Sequence, residues 1–269
     1  MNTTILHRVG AAVLSVCLSF PLVVHSTEKY RLGIAPVLDY EDTLKIYQPM
    51  ADYLSQKAGI EVELLPARNF IGYWSQMRKP DAYDFILDGA HLAAYRIEKM
   101  GHRLLAKVSG VLSFTLISRP DDLILDPEEL VNRKVAVLAS PNLGGLQAYN
   151  LFTHPARQAV MIEAKNALDA LEAVRSERAD AAYVPTPILS RYPEATVITS
   201  SEQMPNMTMT ASPRVPSEVG QAVAMALIEA GQSEEGKAML AAVNIASFEP
   251  AVRSEYQGLE QLLKNMWGY

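Results

Sequence analysis

Two short runs hold most of the residues that could do chemistry in this 269-residue chain. The first is Ser140-Pro141-Asn142-Leu143-Gly144-Gly145, which follows the apolar run KVAVLA (134–139) and opens a helical pattern. Glycine lets a ligand come close to the backbone, and a helix start offers unpaired N–H donors with a partial positive charge. Ser140, Asn142, Gly144 and Gly145 are therefore candidate contacts for an oxygen-rich group; the same run also reads as a plain strand-to-helix turn capped by Asn142. The second run is Asp88-Gly89-Ala90-His91, again set between a short apolar run and a helical stripe. His91 could donate to an anion or stack on a ligand, and Asp88 also reads as a helix cap. Two further strand ends, at 37–40 and 185–186, add Tyr40 and Thr186 as candidates, with Tyr183 on the strand just before the second. Tyr40, Phe70, Tyr73 and Trp74 lie in or just after loops and read either as core or as contact.

Other chemistry is not signalled. His102 and His154 have no metal-ligand spacing, and GxSxG, GxGxxG and P-loop patterns are missing. No catalytic residue, metal or cofactor is assigned, and a binding protein is expected in preference to an enzyme. With 24 basic against 30 acidic residues and a net charge of −6, the chain lacks the basic signature of a nucleic-acid binder. A hydrophobic fraction of 49% excludes a disordered chain and leaves a mildly acidic globular protein.

Residues 1–26 stand apart. They carry Arg8, no acid, and an almost unbroken apolar run from Val9 to Val24, closed by Val24-His25-Ser26. This is the pattern of a secretory signal peptide cleaved near Ser26. Cleavage would remove Cys17, the chain's one cysteine, so the mature protein would hold together without disulfides, as suits a bacterial periplasm.

The elements that must position the candidates alternate along the rest of the chain. Strand-like runs fall at 30–36, 62–66, 85–87, 111–118, 134–139, 160–162, 181–184 and 196–199. Helical stripes fall between them: Leu44, Tyr47, Ala51 and Leu54 with Gly59 as a stop, then Leu92, Tyr95 and Ile97, then 144–152, then Ala167 to Val174 capped by Asn166. Two more follow, one behind a Ser217 cap and one through Leu259, Leu262 and Leu263. Pro49 lies inside the first stripe and argues against an unbroken helix. Strands alternating with helices of this length imply α/β units around mainly parallel sheets.

Four segments, in order, resemble the periplasmic solute-binding proteins of phosphate, phosphite and phosphonate transporters. They are IAPVLDYEDTLKIYQPMADYLSQKAGIEVELLPARNF (34–70), YDFILDGAHLAAYRI (83–97), LEAVRSERADAAYV (171–184) and SEEGKAMLAAVNIASFEP (233–250). The resemblance implies a type II periplasmic-binding-protein fold: two α/β lobes, 27–110 plus 205–269 and 111–204, with a ligand cleft between them. It implies a periplasmic monomer that hands a small ligand to a membrane permease or sensor; a ligand sensor or scaffold without a transporter, or an envelope enzyme, are the alternatives. The family's aromatic after the second turn would correspond to Tyr95. Two family features are missing: the hydroxyl-rich turn at 140–145 keeps one serine, and the aspartate that ends the DAA strand is replaced by Pro185. Together with the apolar rim of Pro141, Leu143, Tyr183, Pro185 and Pro187, this predicts a larger, partly apolar ligand held at one polar end by Ser140, Asn142 and His91.

Overall fold

A computed structural model describes residues 28–152, 154 and 156–269; the signal-peptide reading of 1–26 lies outside them. Thirteen strands are described: β1 (Lys29–Ile34), β2 (Glu61–Leu64), β3 (Phe85–Asp88), β4 (Arg103–Val108), β5 (Val111–Leu112), β6 (Phe114–Ser118), β7 (Lys134–Leu138), β8 (Val160–Ala164), β9 (Ala181–Pro185), β10 (Thr196–Ser200), β11 (Met204–Pro205), β12 (Thr208–Ala211) and β13 (Phe248–Glu249). The helices are α1 (Tyr40–Ala58), α2 (Phe70–Met77), α3 (Ala90–Met100), α4 (Leu143–Asn150), α5 (Ala167–Arg175), α6 (Ser217–Ile228) and α7 (Glu234–Ala242).

The strands form two sheets. One runs β13-β4-β12-β3-β1-β2 and the other β10-β6-β9-β7-β8. The chain leaves the first sheet after β4 and returns to it at β12. On both passages it makes a short strand, and these two strands, β5 and β11, pair antiparallel (Met204 opposite Leu112, Pro205 opposite Val111). The sheets are mixed, which corrects the expectation of mainly parallel ones. β1 pairs in parallel with β2 and β3, and β7 with β8 and β9, but β12 enters antiparallel between β3 and β4, and β6 runs antiparallel to β9 and β10.

Local signals explain most boundaries. Asp39 caps α1 by accepting from the Asp42 N–H, and Gly59 ends it in the left-handed conformation at φ 67°. Pro49 does not break this helix; Tyr47, Met50, Ala51 and Leu54 are buried on either side of it and hold the turn in place. Ser217 is the first residue of α6 and not its cap, a place taken by Pro216. The stripe at 259–263 is a single 3-10 turn. β3 (FILD) is buried at all four residues because α-helices and neighbouring strands cover it on every side, which is why it reads as a continuous apolar run.

Candidate functional site

The C-terminal ends of β1, β3, β7 and β9 point toward one region between the sheets, as ligand sites in open α/β folds require. A cavity of about 440 Å³ lies there. The first sheet's side supplies Ala35, Val37 and Leu38 after β1, Phe70 at the start of α2, and Gly89, His91 and Leu92 around the start of α3. The second side supplies Phe114, Leu138, Asn142, Leu143, Asn166, Ala167, Leu168, Pro185 and Ile188, and the crossing segments add Leu112, Asn206 and Met207. None of these side chains is charged.

The polar groups in this lining are few, and the hydrogen bonds fix their roles. Asn142, Asn166 and Asn206 each accept from a backbone N–H (of Gly144, Asp169 and Met207, at 2.9, 2.9 and 2.8 Å). A backbone N–H can only donate, so these contacts fix which end of each carboxamide is the oxygen and leave each NH2 group as a donor. His91 is 2% exposed and its Nε2 lies 2.9 Å from the Pro141 carbonyl oxygen, a contact from one sheet's helix to the other's turn. The carbonyl accepts, so Nε2 carries the proton and Nδ1 holds a lone pair; Nδ1 is buried with no partner. Burial pushes the His91 pKa below its ordinary value, against the opposing pull of the Pro141 carbonyl, so the ring is neutral.

Directly behind His91 lies a charged network that does not reach the cavity. Asp88 and Arg96, both 0% exposed, meet through two contacts of 2.6 Å. Tyr73 donates its hydroxyl to Asp88 at 2.6 Å, and Arg96 also reaches Thr210 at 3.0 Å. Burial, followed by the Asp88 charge, pushes the Tyr73 pKa well above its ordinary value, which keeps the donated proton in place.

Of the residues singled out from sequence, Phe70, His91, Asn142, Leu143 and Pro185 line the cavity. The others are placed elsewhere. Asp88 is held in the ion pair just described. Tyr95 packs against Trp74 and Tyr269, with ring centroids at 5.1 and 5.7 Å. Tyr183 stands behind the wall, stacked on Phe114 at 5.7 Å with its hydroxyl on Gln147. Thr186 bonds to the hydroxyls of Ser113 and Thr115, both at 2.8 Å. Ser140 is half-buried outside the lining. Gly144 and Gly145 serve packing: a Cβ on Gly144 would come within 2.6 Å of the Phe114 ring, and one on Gly145 would overlap the Leu138 carbonyl oxygen. Tyr40 lies under the Arg68 guanidinium at 5.2 Å, and Arg68 lines a recess that adjoins the cavity.

Sequence reasoning missed Phe114 at the start of β6 and Asn206 and Met207 in a crossing segment, and it read Asn166 only as a cap. Among the described residues no group of His, Cys, Asp or Glu could hold a metal ion, and no helix is long and apolar enough to cross a membrane.

Two α/β units joined by a paired crossing, with a cavity at facing strand ends, define a two-lobed solute-binding protein. Residues 32–256 match the family described as the periplasmic substrate-binding protein of the phosphonate ABC transporter. The chain belongs to that family, and it is a binding protein and not an enzyme. Among curated proteins no significant match is found. Similar solved structures include XAC2383 from Xanthomonas citri bound to ATP (15% identity, TM-score 0.72, covering 88% of this chain and 97% of that one). PhnD1 from Prochlorococcus marinus in complex with methylphosphonate is as similar (13%, 0.72, 88% and 97%), and so is PA3383 from Pseudomonas aeruginosa, a binding protein component of a phosphonate transporter (17%, 0.71, 88% and 85%). These likenesses establish the type II periplasmic-binding fold.

Proposed function

We propose that this periplasmic protein captures a partly apolar organic molecule in the cavity between its lobes and presents it to the permease of an ABC transporter. The observation that carries the reading is the absence of any charged side chain from the lining of the 440 Å³ cavity. A bare oxyanion needs converging charge-assisted donors, and here three carboxamides and a neutral histidine are set in a wall of Leu, Val, Phe, Ile, Pro and Met. The net charge of −6 would not draw an anion inward. The match of fold to XAC2383, whose structure holds ATP, supports a cleft of this architecture taking a ligand much larger than phosphate.

The paired crossing β5/β11 is the natural hinge, with lobes at 27–110 plus 205–269 and 111–204, and the His91–Pro141 contact is one that closure makes and opening breaks. Export through a leader cleaved near Ser26, and action as a monomer, complete the reading. Native mass spectrometry of the protein purified from the envelope is the test. An organic adduct with an alkyl or aryl body is expected; an adduct of the mass of phosphate or a small alkylphosphonate would overturn the reading.

A further inference from the structure

The cavity adjoins a recess of about 460 Å³, with which it shares Val37, Leu38, Phe70, Leu138 and Asn166. The recess differs from the inner chamber in kind. Asp39, Asp42 and Arg68 line it from the first lobe and Lys165 from the second. These are two acids and two bases in one small space, and among the described residues none of the four takes part in an ion pair with any other group. Asp39 is partly engaged as the α1 cap; Asp42, Arg68 and Lys165 are exposed.

A recess with charges of both signs and no net charge gives a ligand end that is only anionic or only cationic no net attraction, because it meets like charge as well as opposite charge there. A ligand end with both signs satisfies both pairs. From this geometry, and resting on the functional reading above, we infer that the ligand is an amphiphile with an uncharged apolar body in the inner chamber and a zwitterionic end in the adjoining recess. Arg68 and Lys165 lie on opposite lobes, so an anionic group between them draws the two jaws together. The ammonium part of the same end falls to Asp42 and Asp39 on the first lobe. The orientation follows from the split lining: the end with charges cannot enter the chamber without losing its hydration to a wall that offers no counter-charge.

Four probes with one tail and different ends test this, each used below its micelle concentration with the mature protein: octylphosphocholine, octyl phosphate, octyltrimethylammonium and octyl glucoside. Isothermal titration should show octylphosphocholine binding about tenfold or more tighter than the other three, a difference equal to one decade in the dissociation constant. Lys165→Ala and Asp42→Asn should each bring octylphosphocholine toward the level of octyl glucoside and leave octyl glucoside unchanged. Equal binding of all four, or tighter binding of octyl phosphate, would overturn the zwitterionic end while the apolar chamber stood. If none of the four bound, the chamber itself would not take an alkyl body, and the functional reading would fall together with the inference.

Discussion

The turns at 88–91 and 140–145 follow the same plan, a buried strand delivering the chain to a helix start, and they meet at the His91–Pro141 hydrogen bond. They use their polar residues in opposite ways. The first turn sends its carboxylate backward, into a pair with Arg96 that is sealed from the cavity, and sends only a neutral imidazole forward. The second has no charge and uses its glycines to bring α4 against β7 and Phe114. Residue types that suggest anion capture thus build the scaffold on one side and close packing on the other. Between them they leave a chamber without charge.

The sharpest way to break this contrast is through the buried pair. Asp88→Ala should destabilise the protein by about 3–5 kcal/mol in urea unfolding, because it leaves Arg96 as an uncompensated buried cation. Replacing both, with Asp88→Leu and Arg96→Met, should cost much less. If Asp88→Ala left stability unchanged and instead removed ligand binding, Asp88 would be a contact after all.

On the other turn, Gly145→Ala and Gly144→Ala should each cost about 1–3 kcal/mol by overpacking, since the Leu138 carbonyl and the Phe114 ring have little room to move. Gly89→Ala meets the edge of the His91 ring, 2.9 Å away, and would push aside the ring that carries the contact to Pro141. Its effect should appear in ligand affinity before stability, and the reverse ranking would undo the distinction between the two turns.

Histidine titration sharpens the comparison further. Burial, helped by the Arg96 and Arg103 charges, lowers His102 to about 3. Between that value and the ordinary histidine range near 6.5 the unfolded chain binds a proton that the folded one refuses. Stability is therefore complete above pH ~6.5 and falls as the pH drops toward 3, with a slope of up to about 1.4 kcal/mol per pH unit. His102→Gln should flatten this slope when melting is followed between pH 4 and 7; an unchanged slope would assign it to other groups.

The smallest effect concerns the clasp itself. His91→Phe keeps the bulk and removes the donor to Pro141. A net hydrogen bond of about 1 kcal/mol shifts the balance of closed and open forms about fivefold, which small-angle scattering should register as a larger mean radius of gyration. No change would mean that apolar contacts alone hold the lobes.

Much of the fold could be read from sequence because strand runs and helix caps are local signals: Asn142 and Asn166 each cap the helix that follows them. β4, α2 and β12 were missed. β12 (TMTA) looks polar, yet it is buried at every residue, since Thr210 receives Arg96 and Thr208 meets the Tyr256 hydroxyl at 2.8 Å. Those partners lie 114 and 48 residues away, and no local pattern records them. The same limit governed the site. His91 and Asn142 could be found from their place at strand ends, whereas the fate of Asp88 depended on Arg96 and Thr210. Asn206 and Met207 entered the site only because the chain crosses between lobes beside it, and Phe114 because β6 begins there.

The measurement that bears most directly on the uncharged chamber is isothermal titration of the mature protein with inorganic phosphate, phosphite and methylphosphonate. With no charged side chain in the lining, all three should bind no tighter than about millimolar, an affinity near 4 kcal/mol. Micromolar or tighter binding of any of them, lost on Asn142→Ala or His91→Phe, would contradict the account.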